Sequence, residues 1–187
     1  MLASFSRALE LRDPSLRGHG DRVAVHAERV ARTFDWNDAR LAALRIAAVI
    51  HDLGKLTVPV EILRKPGQLT ETELTQVRRH PAAGARMLDA ISALRPVVPY
   101  VLHHHERWDG DGYPSRRRAE EIPLEARILA VADAFDAMVS PRPYRRALPT
   151  DASLAEVERC SGSQFDPTVA HAFLACWAEE PRRAAAG

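Results

Sequence analysis

Leu41-Ala-Ala-Leu-Arg-Ile-Ala-Ala-Val-Ile50 runs directly into His51-Asp52-Leu53-Gly54-Lys55, and the reading of this junction decides the fold. The first ten residues carry apolar side chains at helical spacing, so they read as a helix with a buried face. An ionised Asp at the end of such a run is costly unless a cation, several hydrogen bonds or a metal compensates it, and the neighbouring His points to the metal. On a continued helix, Lys55 lies within reach of both His51 and Asp52.

Outward from this junction, the same spacing recurs in Val23-Val25-Val30, Val97-Val101-Leu102 and Ile128-Leu129-Val131-Ala132-Phe135-Met138. No stretch alternates with period two, so the fold class is all-α. Pro and Gly break the helices at Thr57-Val58-Pro59, Lys65-Pro66-Gly67, Asp109 to Pro114, Ile122-Pro123 and Ser140 to Pro143. Thr70 and Glu73 have the spacing of a capping box. Residues 1–178 read as one domain, and 179–187, rich in Arg and Ala, as a frayed tail.

Two further apolar helices break the same rule. Val101-Leu102-His103-His104-His105-Glu106 ends in three imidazoles and a carboxylate, and Asp133 interrupts Ile128-Leu129-Ala130-Val131-Ala132. Each exception alone reads as a satisfied core pair or a helix cap; their coincidence in one small domain points to a metal site. Imidazole and carboxylate donors without thiolates suit iron, manganese or zinc. Adjacent residues such as His51-Asp52 and His104-His105 point about 100° apart on a helix, so one can face each of two ions. Two ions about 3.5–4 Å apart that share a hydroxide generate a nucleophile and clamp a phosphoryl group.

Composition narrows the alternatives. The 187 residues carry a formal charge of +1, with 46% hydrophobic and 27% charged residues. That balance gives no global field for polymeric nucleic acid or an anionic membrane, so anion recognition must be local. Cys160 and Cys176, the only cysteines, lie too far apart for a CxxC unit and read as reduced core thiols. The first residues lack the apolar region of a signal peptide, and no apolar run reaches about 18 residues, so the expected location is the cytoplasm.

In chain order the motifs are Gly18-His19 with Arg22-Val23, the His51-to-Lys55 segment, Ile62-Leu63-x-Lys65-Pro66-Gly67-x-Leu69-Thr70 and His80-Pro81-x-x-Gly84. They continue with His104-His105-Glu106-Arg-Trp-Asp109-Gly110-Asp-Gly112-Tyr113-Pro114, Ile122-Pro123-Leu124, Val131-Ala132-Asp133, Arg142-Pro143-Tyr144-Arg145 and Gln164-Phe165-Asp166-Pro167. From about Leu11 to Phe173 this series resembles the HD-GYP subfamily of the HD-domain metal-dependent phosphohydrolases. The resemblance implies a compact helical bundle with a dinuclear site in its core. Its metal ligands would be His19, His51, Asp52, His80, His104, His105 and Asp133, with Asp52 bridging and two divalent ions, iron or manganese, as cofactors. Lys55 would be catalytic or contact phosphate, Arg142 and Arg145 would grip substrate phosphates, and Gly112-Tyr113-Pro114 would line the substrate opening. The substrate implied is a cyclic dinucleotide, cyclic di-GMP, opened to pGpG or cut further to GMP through a metal-bridging hydroxide.

Two departures stand out. Some relatives carry a Glu one turn before the first His and hold a third metal, where this chain has Ser15. After the GYP turn the resembled pattern reads Arg-Gly-Leu-x-Gly, whereas this chain reads Ser115-Arg116-Arg117-Arg118-Ala119, and the loss of both glycines is expected to change the lip of the pocket. The arginine triplet reads as a solvated charged loop outside the site. His26 and His103 read as packing residues near it, and His171 as a surface residue. Competing readings are a broad-specificity phosphodiesterase or phosphate-ester hydrolase, a non-catalytic cyclic-dinucleotide receptor and a di-iron oxygenase. The partner is a small-molecule phosphodiester, with a homodimer left open.

Overall fold

The computed structural model describes residues 2–141 and 147–178. Among them are ten α-helices and no β-strand: α1 (Leu2–Arg12), α2 (His19–Ala31), α3 (Asp38–Ile50), α4 (Val60–Leu63), α5 (Glu71–Val77), α6 (His80–Asp89), α7 (Val98–His103), α8 (Leu124–Val139), α9 (Thr150–Arg159) and α10 (Pro167–Ala178). The expected all-α class is what the chain adopts. Residues 142–146 and the tail 179–187 lie outside the described residues, and with them Arg142 and Arg145.

The helices start where local chemistry satisfies their free N–H groups. Asn37 accepts the Arg40 N–H at 2.9 Å to open α3. Thr70 and Glu73 close the expected capping box of α5, with the Thr70 N–H donating to Glu73 at 2.7 Å. The core forms where α2 and α8 lie against each other and against α3 and α10. On α2, Val23, Ala27 and Val30 bury one stripe, while α8 is buried almost all round through Ile128, Leu129, Val131, Ala132 and Phe135. Phe135 packs on Phe173 and Trp177 at centroid distances of 5.0 and 4.9 Å. His26 joins this aromatic cluster, 5.3 Å from Phe135, which is the packing role expected of it. Both cysteines are buried thiols, and His171 is exposed.

Three glycines set how closely the site-bearing segments approach. A Cβ on Gly20 would lie 2.7 Å from the Val49 carbonyl oxygen, so only glycine lets the start of α2 press against the end of α3. A Cβ on Gly54 would overlap the His80 carbonyl, and one on Gly84 would come within 3.1 Å of the Gly54 nitrogen. The turn after α3 therefore sits backbone to backbone on α6. That contact carries Asp52 to His80.

The junction itself differs from the continuous helix expected there. α3 stops at Ile50, His51 caps it, and Asp52 takes φ −88°, ψ 3° before the 3-10 turn Leu53–Thr57. The tighter turn, closed by the Lys55 N–H on the Asp52 carbonyl at 2.8 Å, still brings Lys55 onto Asp52. No helix among the described residues is long and apolar enough to cross a membrane.

Gly54→Ala should lose at least about 2 kcal/mol of stability, because the new methyl group meets backbone that cannot rotate away. Urea denaturation of the metal-free protein measures this, and a loss below about 0.5 kcal/mol would show that the α6 contact yields.

Candidate metal centre

Four helix ends and the middle of a fifth helix deliver the donors. His19 opens α2, His51 and Asp52 follow α3, His80 opens α6, His104 and His105 follow α7, and Asp133 projects from α8. The fold brings all seven together, and the donor atoms fall into two overlapping groups. Asp52, His80, His104 and His105 form one, and His19, His51 and Asp52 the other. Asp52 belongs to both, with Oδ1 3.3 Å from His80 Nε2 and Oδ2 3.6 Å from His51 Nε2. Asp133 Oδ1 joins the second group at 3.2 Å from His19 Nε2 and 3.8 Å from His51 Nε2.

The backbone sets the imidazole tautomers. His51, His80 and His104 each donate Nδ1–H to the carbonyl three residues earlier, on Ala48, Val77 and Val101, at 2.6, 2.8 and 2.7 Å. A carbonyl only accepts, so each Nδ1 carries a proton, and in His51 and His104, whose pKa burial lowers, Nε2 presents a lone pair to the interior. His80 Nε2 and His104 Nε2 face each other at 3.3 Å. His51 Nε2 is buried with no hydrogen-bond partner. Burial lowers the pKa of His51, His104 and His105, that of His105 to about 3, so these rings are neutral. Neutral nitrogens and carboxylates aimed at one interior point fit a divalent metal site.

His19 is arranged differently. Its Nδ1 donates to Asp136 Oδ2 at 2.7 Å, and Arg22 grips the same carboxylate at 2.6 and 3.0 Å. Burial opposes charge on His19, but the hydrogen bonds with Asp133 and Asp136 outweigh it and raise its pKa to about 9. Burial likewise works against the Asp136 carboxylate, which His19 and Arg22 nevertheless hold at about 2. No sequence motif singles out Asp136. The signal that could find it is its i, i+3 spacing from Asp133 on an apolar helix, which puts two carboxylates on one face.

A cavity of about 550 Å³ opens over the site, lined among others by Lys55, His104, His105 and Asp133. Lys55 Nζ lies 2.7 Å from Asp52 Oδ2. Burial penalises the Asp52 charge, but Lys55, His51 and His80 keep the carboxyl well below its usual range. Gly112, Tyr113 and Pro114 line the cavity as expected, with the Tyr113 ring 4.9 Å from that of His105 and its N–H donating to the His105 carbonyl at 3.1 Å. Glu106, a motif residue with no role expected from sequence, is buried and accepts the Ser115 N–H at 2.7 Å, tying down the loop after the GYP turn; His103 Nδ1 lies 3.4 Å from the same oxygen. The arginine triplet divides. Arg116 is exposed as expected of a solvated loop, yet it also lines the cavity instead of lying outside the site, and Arg78 and Gln164 join it without any signal in the sequence. Arg117 turns back to the Glu121 carbonyl at 3.0 Å.

A family profile described as "HD domain" matches residues 3–169. The chain is 40% identical over 175 residues to the cyclic di-GMP phosphodiesterase response regulator RpfG of Xanthomonas campestris, covering 92% of this chain and 46% of that protein. It is 40% identical over 167 residues to a cyclic di-GMP phosphodiesterase of Thermotoga maritima, covering 88% and 45%. Among solved structures, a cyclic GMP-AMP specific phosphodiesterase of Vibrio cholerae superposes with a TM-score of 0.59 at 34% identity, covering 95% of this chain and 40% of that one. The chain spans under half the length of these relatives.

Metal uptake should release the proton that His19 holds. His19 is charged in the metal-free protein below about pH 9, and a ligating imidazole is neutral. Apparent affinity should therefore climb up to about tenfold per pH unit below about pH 9 and flatten above it. Without metal the sign reverses: a raised pKa contributes stability in full below about pH 6.5 and loses it as the pH rises through 9. Competition titrations at several pH values, with thermal melts of the metal-free protein, check both. Asp136→Asn should weaken metal binding about 10- to 100-fold.

Proposed function

The chain belongs to the HD-domain family, in its HD-GYP branch, and from that premise we propose that residues 1–178 form one catalytic domain that hydrolyses a cyclic dinucleotide, cyclic di-GMP, in the cytoplasm. The observation that carries this reading is the sharing of Asp52 between two donor groups beside an ammonium and under a cavity. A cavity of about 550 Å³ is in the range of small-molecule sites.

In this reading the ligands are His19, His51, Asp52, His80, His104, His105 and Asp133, and the ions are two, iron or manganese. Bound there, they supply a hydroxide nucleophile at neutral pH and neutralise charge on the phosphoryl oxygens. Asp52 would be the ligand common to both ions, and Lys55 keeps it ionised. Lys55, anchored on Asp52, would stabilise charge on the non-bridging oxygens of the phosphate that reacts. Gly112, Tyr113 and Pro114 form the wall against which the nucleotide lies, with Tyr113 stacked on His105. Arg142 and Arg145 grip phosphate with their planar forks. One P–O3′ bond breaks, the oxygen of water ends on phosphorus, and a proton reaches the departing 3′-oxygen, leaving linear pGpG.

A broader phosphodiesterase on the same centre is the second reading, favoured by the substituted segment Ser115 to Ala119 at the cavity lip. A receptor without catalysis is disfavoured, since it needs no convergence of seven donors.

Protein purified without oxygen should hold two metal ions per chain and convert cyclic di-GMP to pGpG or GMP. Asp52→Ala should lower the rate at least about 10³-fold and the metal content with it. Cleavage of bis(p-nitrophenyl) phosphate but of no cyclic dinucleotide would leave the second reading standing in place of the first.

A further inference from the structure

Arg116 and Ala119 have φ of 53° and 49°, in the left-handed region, at the two positions where the resembled pattern carries glycine. Only glycine takes this conformation without strain; Asn and Asp offset it through short polar side chains, which Arg and Ala lack. The departure from the glycine pattern therefore keeps left-handed backbone at both positions and changes what projects from it. At Ala119 a methyl group is added. At Arg116 an exposed guanidinium joins the lining of the cavity. Packing gives no reason to retain a strained arginine there, and such strain persists where it serves a site.

The other cations and anions of the lining are accounted for. Lys55 is held on Asp52 at 2.7 Å, and Arg107 on Asp109 at 3.0 and 2.5 Å. Asp133 faces His19, and Glu106 accepts the Ser115 N–H. Asp111 stands exposed at the rim. Among the described residues no carboxylate pairs with Arg116 or with Arg78, whose guanidinium lies 5.8 Å over the Tyr113 ring. Among the described residues, two guanidiniums without a carboxylate partner thus line a cavity that opens over the candidate metal centre.

We propose that Arg116, with Arg78, is a specificity-determining anion subsite that binds the second phosphate of the cyclic dinucleotide while the first lies at the metal centre. The inference rests on the dinucleotide reading of the preceding section. A cyclic dinucleotide carries two phosphodiesters and only one reacts at a time. Guanidinium binds the other through parallel N–H bonds, and that phosphate stays the internal phosphodiester of the linear product while the phosphate cleaved at the metal centre becomes its 5′-phosphate. A substrate with one phosphate gains nothing from it.

The test compares wild type, Arg116→Gly, Arg78→Gln and Ala119→Gly as metal-loaded proteins. Binding of cyclic di-GMP is followed by calorimetry, and turnover of cyclic di-GMP and of bis(p-nitrophenyl) phosphate by steady-state kinetics. Arg116→Gly should melt about 2–4 °C higher, since glycine fits the left-handed turn. It should also raise KM for cyclic di-GMP about tenfold relative to KM for the mono-phosphate ester. Arg78→Gln should shift the same ratio in the same direction without the gain in melting temperature. Ala119→Gly relieves strain without removing a charge, so it should gain stability and keep the wild-type ratio. An unchanged ratio in Arg116→Gly, with wild type turning over cyclic di-GMP, overturns the subsite and leaves the phosphodiesterase intact. If wild type binds cyclic di-GMP without cleaving it, the phosphodiesterase reading falls and the calorimetric difference alone decides the subsite. If wild type neither binds nor cleaves it, both fall.

Discussion

The buried Asp52 carboxylate is the group around which the rest of this molecule is arranged. A negative charge removed from water must face positive charge or strong donors, and here it faces Lys55 at 2.7 Å and His80 at 3.3 Å. To meet it, α3 gives way to a 3-10 turn, Gly54 and Gly84 let that turn sit on α6, and α7 ends so that His104 and His105 point inward. Each of these contacts uses backbone proximity that a side chain would block. The helices around the site are thus spaced for Asp52 as much as for apolar packing.

Much of this arrangement is legible in the amino-acid sequence. Apolar runs interrupted by His or Asp mark the buried polar centre, because only a compensated charge survives there, and helical spacing yields the all-α class. Tertiary contacts are harder to see. Asp136 looks like one more polar residue on a helix until the fold sets it against His19 and Arg22, 117 and 114 positions away. Glu106 sits inside a recognised motif, yet its partner is a backbone N–H nine residues on. The end of α3 departs from expectation for a local reason, since periodicity does not show where a helix tightens into a 3-10 turn. Arg116 reads with its neighbours as a solvated loop and is exposed, but charge composition says nothing about which of three arginines also borders the cavity.

The site also separates two electrostatic regimes. On the side of His104 and His105, burial keeps imidazoles neutral. On the side of His19, carboxylates on both ring nitrogens favour a proton. The first side presents unprotonated donors, while the second holds a proton that the protein itself stabilises. The two halves of one centre thus differ in how strongly they depend on pH.

That His51, His80 and His104 are oriented by main-chain carbonyls, while His19 is oriented by the Asp136 side chain, has a consequence on the evolutionary scale. A main-chain acceptor is present whatever residue occupies the position, so mutation cannot remove it while the helix end persists. Asp136 can be exchanged by a single codon change. The orientation of His19 is therefore open to a point mutation behind the ring, whereas that of His51, His80 and His104 is not.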